Sequence, residues 1–280
     1  MLPDQVTSLG KSTIQHGPAS DRVYLMKLDE GDMPGIVGDL IDLGRLHGYS
    51  KLFVRVSARE FPLFKARGFV PEARVSGMRK GRETGYFMSR YLDDEREHQR
   101  NPQLVSKVLD LAHSKAPDQA PEVGDLQGLE PLGPEHAQEL AALYKAVFAT
   151  YPFPIMRSDY LREMMASNVS FHGVRSGPRL VAAASAEIDI DWRCAEMTDF
   201  ATLPECRGQG LAGKLLLHME QQVLEMGIRT AYTIARAESP GMNIVFSSAC
   251  YQFGGTLTNN TQIGGKLESM NVWYKQIVSG

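Results

Sequence analysis

Apolar positions along this 280-residue chain form short strand-like runs set between helical stripes. In residues 13–28, two strand-like runs flank a Gly17-Pro18-Ala19-Ser20-Asp21 turn. A helix is predicted over Met33 to Leu46, with Ile36, Leu40, Leu43 and Leu46 on one face and Gly48 to end it. Lys51 to Val56 reads as a strand, Arg59 to Arg67 as a short helix ending at Gly68-Phe69, and Tyr86 to Leu92 as another strand. Further on, Pro134 opens a helix at its first turn, where the missing N–H costs nothing. Its stripe is Ala137, Leu140, Ala141, Tyr144, Val147 and Phe148, and the prolines of Tyr151-Pro152-Phe153-Pro154-Ile155 stop it. Ser158 caps a second helix through Met165. Strands are predicted over Val169 to Val174, Leu180 to Ile188 and Cys194 to Thr202. A glycine-rich loop follows, then a helix with Leu211, Leu215, Met219, Val223 and Met226 on one stripe. A strand near Thr230 to Ile234, a short helix and an aromatic strand from Met270 to Tyr274 complete the pattern.

The order of elements repeats. His47-Gly48-Tyr49 leads from a helix into the Lys51 strand as Met226-Gly227-Ile228 leads into the Thr230 strand. Each is followed by a short helix ending at a glycine, Gly68 and Gly255, and then by a closing aromatic strand. Two ordinary helix–strand units of independent origin would leave the same trace. We infer a degenerate half-copy of the carboxyl-terminal fold in residues 13–92. Residues 93–126 hold a dense charge run and a stretch rich in proline and acid, the composition of a solvated linker. Within it Gln103 to His113 can form one helix, with Leu104, Val108 and Leu111 apolar. The domain boundary is expected near residue 126, giving units 1–126 and 127–280.

Composition narrows the class. Hydrophobic content of 43% and charged content of 22% are those of a globular protein. A net charge of −3 gives no basic footprint for nucleic acid. No apolar run reaches membrane-spanning length, and the first residues have no signal-peptide core. Cys194, Cys206 and Cys250 are scattered and form neither a disulfide framework nor a metal-binding pair, so a reduced, cytoplasmic protein without metal is expected.

The chemistry concentrates after the Cys194 strand. Gly208, Gly210 and Gly213 fall within six residues and the next helix begins among them. Strand, glycine loop and helix N-terminus aim backbone N–H groups at an anion, usually a phosphate, and Arg207 adds a fixed charge. The spacing is neither a dinucleotide fingerprint nor a P-loop. It fits Arg/Gln-x-x-Gly-x-Gly/Ala, with Arg207, Gly210 and Ala212 in the fixed places. In this the chain resembles the GNAT superfamily of acetyl-CoA-dependent N-acetyltransferases, and the order of elements from about residue 127 to the end is similar to theirs. The resemblance implies an α/β fold with a mixed sheet, preceded here by the degenerate GNAT-like half-domain. It implies acetyl-CoA as cosubstrate, its pyrophosphate on Arg207, Gly208, Gln209, Gly210, Leu211, Ala212 and Gly213 and its thioester oxygen on backbone N–H groups around Phe200, Ala201 and Thr202. Asn243 matches the asparagine that opens the last helix in the family and contacts the cofactor. The amino-terminal half lacks such a loop and is expected to serve structure or substrate enclosure, with acetyl-CoA binding carried by residues 127–280 alone.

Amine acetylation requires a base, because a lysine-like amine with a pKa near ~10.4 is protonated at neutral pH. Glu196, eleven residues before Arg207, stands where GNAT enzymes resembling histone acetyltransferases carry a glutamate base; without the family it is a carboxylate near a strand end. Tyr251, four residues before Gly255, matches the family's Tyr-x-x-x-Gly-Phe acid, although Thr256 replaces the phenylalanine and the interval from Asn243 is one residue longer than is commonest in the family. The counterpart in the first half is Phe64, four before Gly68, which cannot donate a proton. Glu187, Asp189 and Asp191 form an acidic group able to attract a diamine, or a solvated hairpin tip.

Three features together, Asp21 to Lys27, the degenerate half-domain and Tyr151 to Ile155, resemble the β-lysine N-acetyltransferase family. That resemblance implies acetylation of the ε-amine of β-lysine to a compatible solute, with Tyr151 and Phe153 beside the acceptor. Arg157 and Arg162, just after that loop, are either carboxylate anchors or surface charges on a helix. Another small amine, a protein lysine, or acetyl-CoA binding without turnover stays open. The expected partner is a small amine, with no nucleic acid or membrane, in a monomer or homodimer.

Overall fold

The computed structural model describes residues 4–119, 121 and 128–277. The amino-terminal half runs β1 (Gln5–Leu9), β2 (Ser12–Gly17), β3 (Arg22–Lys27), α1 (Ile36–Leu46), β4 (Lys51–Ser57), α2 (Phe61–Ala66), β5 (Val70–Arg79) and β6 (Glu83–Tyr91). Two helices follow, α3 (Asp94–Glu97) and α4 (Pro102–His113). The carboxyl-terminal half runs β7 (Leu129–Leu132), α5 (Ala137–Val147), α6 (Ser158–Met165), β8 (Val169–Ser176), β9 (Arg179–Asp189) and β10 (Cys194–Thr202). It ends with α7 (Leu211–Glu225), β11 (Thr230–Arg236), α8 (Pro240–Ser248), β12 (Gln252–Ile263) and β13 (Lys266–Gln276). Among the described residues no helix is long and apolar enough to cross a membrane.

All thirteen described strands join one sheet in the order β1-β2-β3-β4-β6-β5-β12-β13-β11-β10-β9-β8-β7. Without β7 that order is a palindrome: β1 to β6 repeat β8 to β13 about the β5–β12 junction. Each half has one parallel pair, β3 with β4 and β10 with β11, in an otherwise antiparallel ladder. The local stops repeat too. Gly48 (φ +67°) and Gly227 (φ +83°) end α1 and α7 in the left-handed conformation that glycine adopts without penalty. The next amides, of Tyr49 and Ile228, bond back to Gly44 O and Val223 O.

The repeat corrects one alignment. In the first half, Gly68 (φ +81°) follows α2, and Phe69 N bonds to Phe64 O at 3.2 Å. In the second, the left-handed residue after α8 is Cys250 (φ +63°), and Tyr251 N bonds to Phe246 O at 3.0 Å. Phe64–Phe69 and Phe246–Tyr251 even share edge-on ring packing, at 5.2 and 5.0 Å. Phe246, not Tyr251, is therefore the counterpart of Phe64. Gly255 does not end the helix; it lies in β12 and pairs with Ala73 of β5. A Cβ there would sit 2.1 Å from Glu72 O, so glycine is needed for the two half-sheets to touch.

The segment after β6 is more than a solvated linker. Arg96 in α3 is buried and donates to Asn259 O, Ser20 O and Ser50 Oγ, tying both halves together. Helix α4 buries Val105, Val108 and Ala112, and the expected Leu104 and Leu111 face solvent. The boundary expected near 126 lies outside the described residues. Three buried clusters hold the fold. One lies under the helices of each half, and the third brings Phe53, Val75 and Phe87 of the first half against Cys194, Tyr232 and Val272 of the second.

Candidate active site

Strands β10 and β11 are parallel neighbours only over Cys194–Glu196 and Thr230–Tyr232. Both continue beyond that point without pairing with each other, so the β11-facing backbone of Met197 to Thr202 has no ladder partner there. The register of β10 on β9 also slips by one residue between Thr198 and Ala201, where Asp199 takes φ +55°. A bulge of this kind bends its strand and re-aims its neighbours, and a short polar side chain tolerates the left-handed backbone. Phe200, Ala201 and Thr202 follow the bulge on the unpaired edge.

The loop after β10 suits an anionic ligand. Gly210 (φ +74°) caps α7, Gly208 has φ +78°, and Arg207 is exposed with Nε 3.3 Å from Thr202 O. A Cβ added at Gly208, Gly210 or Gly213 would meet no heavy atom within 4 Å. The unpaired N–H groups of the first turn, at Leu211 and Ala212, thus open on free space beside the diverging strands. Gln209 is exposed in the same loop. Gly210→Val forces a β-branched residue into a conformation costing about 1–3 kcal/mol. Acetyl-CoA affinity is expected to fall about tenfold or more, measured by titration calorimetry; unchanged affinity would remove this loop from the site.

Beside the divergence lies a carboxylate cluster. Glu196 and Glu187 are direct cross-strand partners, so their side chains share one face. Burial pushes the Glu196 carboxyl up to about 7, and Asp199 adds to the rise, against the opposing pull of Tyr232 and Arg55. Burial pushes Glu187 up to about 8, with Glu196 and Asp199 adding repulsion. The buried Asp199 accepts hydrogen bonds from Tyr151 Oη and Ser185 Oγ, both at 2.6 Å. The amino-terminal half reaches this cluster. Arg55 of β4 binds Asp189 Oδ2 through Nη2 at 2.7 Å and stacks over Trp192 at 4.9 Å. Register makes Tyr24 of β3 the counterpart of Glu196, because Tyr24 pairs with Phe53 as Glu196 pairs with Tyr232. The first half therefore has a phenol where the second has its carboxylate, and Met33-Pro34-Gly35 leads into α1 where Gly208-Gln209-Gly210 leads into α7.

Several expected residues sit elsewhere. Tyr251 lies beyond α8, buried, with its ring under Lys275 Nζ and its hydroxyl near Glu220 of α7. Phe246 stands between it and Phe200, whose ring is 5.6 Å from that of Phe246. The place expected for the acid is thus a phenylalanine, so Tyr251→Phe should leave turnover near wild type; a loss of about 100-fold, of the size general acids contribute, would restore Tyr251 to the chemistry. Asn243 is fully buried, and its amide is used up within the protein. It donates to Arg236 O and Ser239 O and accepts from Asn271 Nδ2 and Trp273 Nε1, so it braces α8 and has nothing left for a cofactor. Asp189 is neutralised by Arg55, and Asp191 pairs with Lys27 at the surface. Tyr151 reaches the cluster through Asp199, while Phe153 is half-buried against the core of its own half. Arg157 is tied to Asp159, and Arg162 is exposed. Arg55 and Asp199 gave no signal in the sequence beyond each being one of two charges within its strand.

The profile of the acetyltransferase (GNAT) family matches residues 137–242. The chain is 34% identical to the β-lysine N(6)-acetyltransferase of Methanococcus maripaludis over 97% of its own length and 98% of that protein's. It is 29% identical to the N-acetyltransferase YodP of Bacillus subtilis over 99% of this chain and 100% of the relative. A β-lysine N(6)-acetyltransferase of Methanosarcina mazei matches at 39% identity over 53% of this chain and 55% of the relative.

Proposed function

The chain belongs to the GNAT acetyltransferases, in the family of the β-lysine N(6)-acetyltransferases, and we propose that it acetylates the ε-amine of β-lysine with acetyl-CoA as donor. The observation that carries the acceptor is the likeness at 34% identity over 97% of the chain, which takes in the amino-terminal half as well as the acetyltransferase half. The acidic cluster between the halves supports it, because it suits a cationic amine.

Acetyl-CoA supplies an activated acetyl thioester when bound. Residues 207–213 hold its pyrophosphate through backbone N–H groups and Arg207. The unpaired backbone at Phe200 to Thr202 offers N–H donors to an oxygen gaining negative charge. Glu196, ionised, takes a proton from the ammonium of the acceptor, directly or through water, and leaves the nitrogen lone pair free to attack. Glu187, raised to about 8 by burial, becomes a second negative charge only as the bound cation favours its ionised form. Phe246 offers no proton to the departing sulfur; a thiol with an ordinary pKa of about 8.5 leaves tolerably as its anion. A reaction drawing on acetyl-CoA belongs in the cytoplasm, and the free thiols of Cys194, Cys206 and Cys250 suit that setting.

The test is CoA release with β-lysine, α-lysine, spermidine and a lysine peptide. A kcat/KM at least about tenfold higher for β-lysine is expected, the preference that one well-placed interaction gives. Equal or better use of another amine would overturn the acceptor, and CoA release with none of them would overturn the transfer.

A further inference from the structure

β-Lysine brings a carboxylate as well as two amines, and a carboxylate entering a cluster of Glu187, Glu196 and Asp199 needs a cation to receive it. Arg157 is tied to Asp159 and Lys27 to Asp191, both at the surface. Arg55 is different. Its side chain is 10% exposed and lies between the halves, and its charge bears on both Glu187 and Glu196. Only part of its fork is used. Nη2 holds Asp189, Nη1 reaches Tyr232 Oη at a loose 3.4 Å, and Nε has no hydrogen-bond partner among the described residues. A buried guanidinium with an idle donor is costly unless something completes it. Trp192 beneath the plane fixes the direction in which the fork points.

We propose that Arg55, supplied by the amino-terminal half, receives the carboxylate of the acceptor and so sets the preference for an amino acid over a plain diamine. The proposal rests on the acceptor proposed above. The planar fork holds Asp189 with one nitrogen and has donors left for a second carboxylate, an arrangement lysine cannot reproduce. With the carboxylate held there, the ammonium groups fall among Glu187 and Glu196. The degenerate half thereby has a use that needs no phosphate loop of its own.

The test compares β-lysine with 1,4-diaminobutane, which has two amines and no carboxylate, in the full-length enzyme. In Arg55→Gln the KM for β-lysine is expected to rise about 10- to 100-fold, the loss of one charged hydrogen-bonding partner, with both acceptors compared at a pH where Glu196 is ionised, because the variant also loses the pull of Arg55 on that carboxyl. The KM for the diamine should stay within about twofold of wild type, as for an interaction the diamine never made. Arg55→Lys keeps the charge and should show an intermediate loss. Asp189→Asn combined with Arg55→Gln removes both members of the internal pair and should not restore the preference. Equal losses for the two acceptors, or rescue by the added Asp189→Asn, would reduce Arg55 to a partner of Asp189 and overturn the proposal. If the wild type prefers β-lysine and Arg55→Gln keeps that preference, only this proposal falls. If the wild type shows no preference for the carboxylate-bearing acceptor, the proposed acceptor falls with it.

Discussion

Glu196→Gln is expected to lower kcat/KM about 10²- to 10³-fold near pH 7.5, the range a positioned base contributes, and to change the shape of the pH profile. In the wild type, burial holds the Glu196 carboxyl at about 7. The wild-type profile should rise through pH 7, as the carboxylate forms, and then level, because the acceptor can bind as the cation and lose its proton on the enzyme. The glutamine variant has no such route and depends on amine already neutral in solution. Its kcat/KM should climb with unit slope toward the amine pKa near ~10.4, so the defect shrinks at high pH. Profiles of the same shape in both proteins would remove Glu196 as base. The pair also marks stability. Glu187 and Glu196 are both held above the ordinary carboxylate value, so the folded state binds more protons than the unfolded state between about 4.5 and about 8. Their contribution to stability is complete below that window and is lost as pH rises through it. A bound diamine, by favouring the carboxylates, opposes that loss.

Local order was legible in the sequence because local order is what periodicity encodes. The glycine spacing at 208–213 marked the turn from strand into helix, and α7 begins at Leu211 as its stripe required. The tandem order of helix, glycine and strand announced the palindromic sheet. Three matters were not legible. A left-handed residue that is not glycine gives no signal, so Cys250 passed unnoticed and Gly255 drew the alignment five residues too far. In α4, Leu104, Val108 and Leu111 make as good a stripe as Val105, Val108 and Ala112. Only contact with α8 decides which face is covered. The third is partnership at a distance. Arg55 and Asp189 are 134 residues apart, and nothing local to either strand names the other. Asn243 was placed correctly at the start of α8, but its amide partners come from β11, the turn after it and β13, which no spacing rule counts.

Residues 128–280 expressed alone are expected not to fold into a protein that binds acetyl-CoA. Sequence suggested a self-sufficient acetyltransferase half, and the sheet argues against it. Removing the first half uncovers Cys194, Tyr232, Leu257, Met270 and Val272, a contiguous apolar face that Phe53, Val75 and Phe87 otherwise cover. It also strips the polar contacts that cross the junction. Arg22 Nη1 donates to Asn260 O at 2.8 Å, Arg96 Nε to Asn259 O at 2.7 Å, and the fully buried Lys51 Nζ to Thr258 O at 2.7 Å. Lys51 shows the size of the effect in the intact chain. Its ammonium sits 2.9 Å from Glu72 Oε2, and Glu72 also accepts from Ser89, Tyr91 and the Thr258 amide. Lys51→Met leaves that carboxylate buried without its cation. A loss of about 3–5 kcal/mol is expected, the cost of breaking a buried pair from one side. Denaturant unfolding of the full-length variant measures it, and a loss below about 1 kcal/mol, the scale of an exposed pair, would show that the junction is not an energetic seam. For the isolated half, a cooperative thermal transition and undiminished acetyl-CoA affinity would show that the first half is an appendage. Aggregation, or a soluble product without such a transition, is the outcome expected of a site built where two halves of one sheet meet.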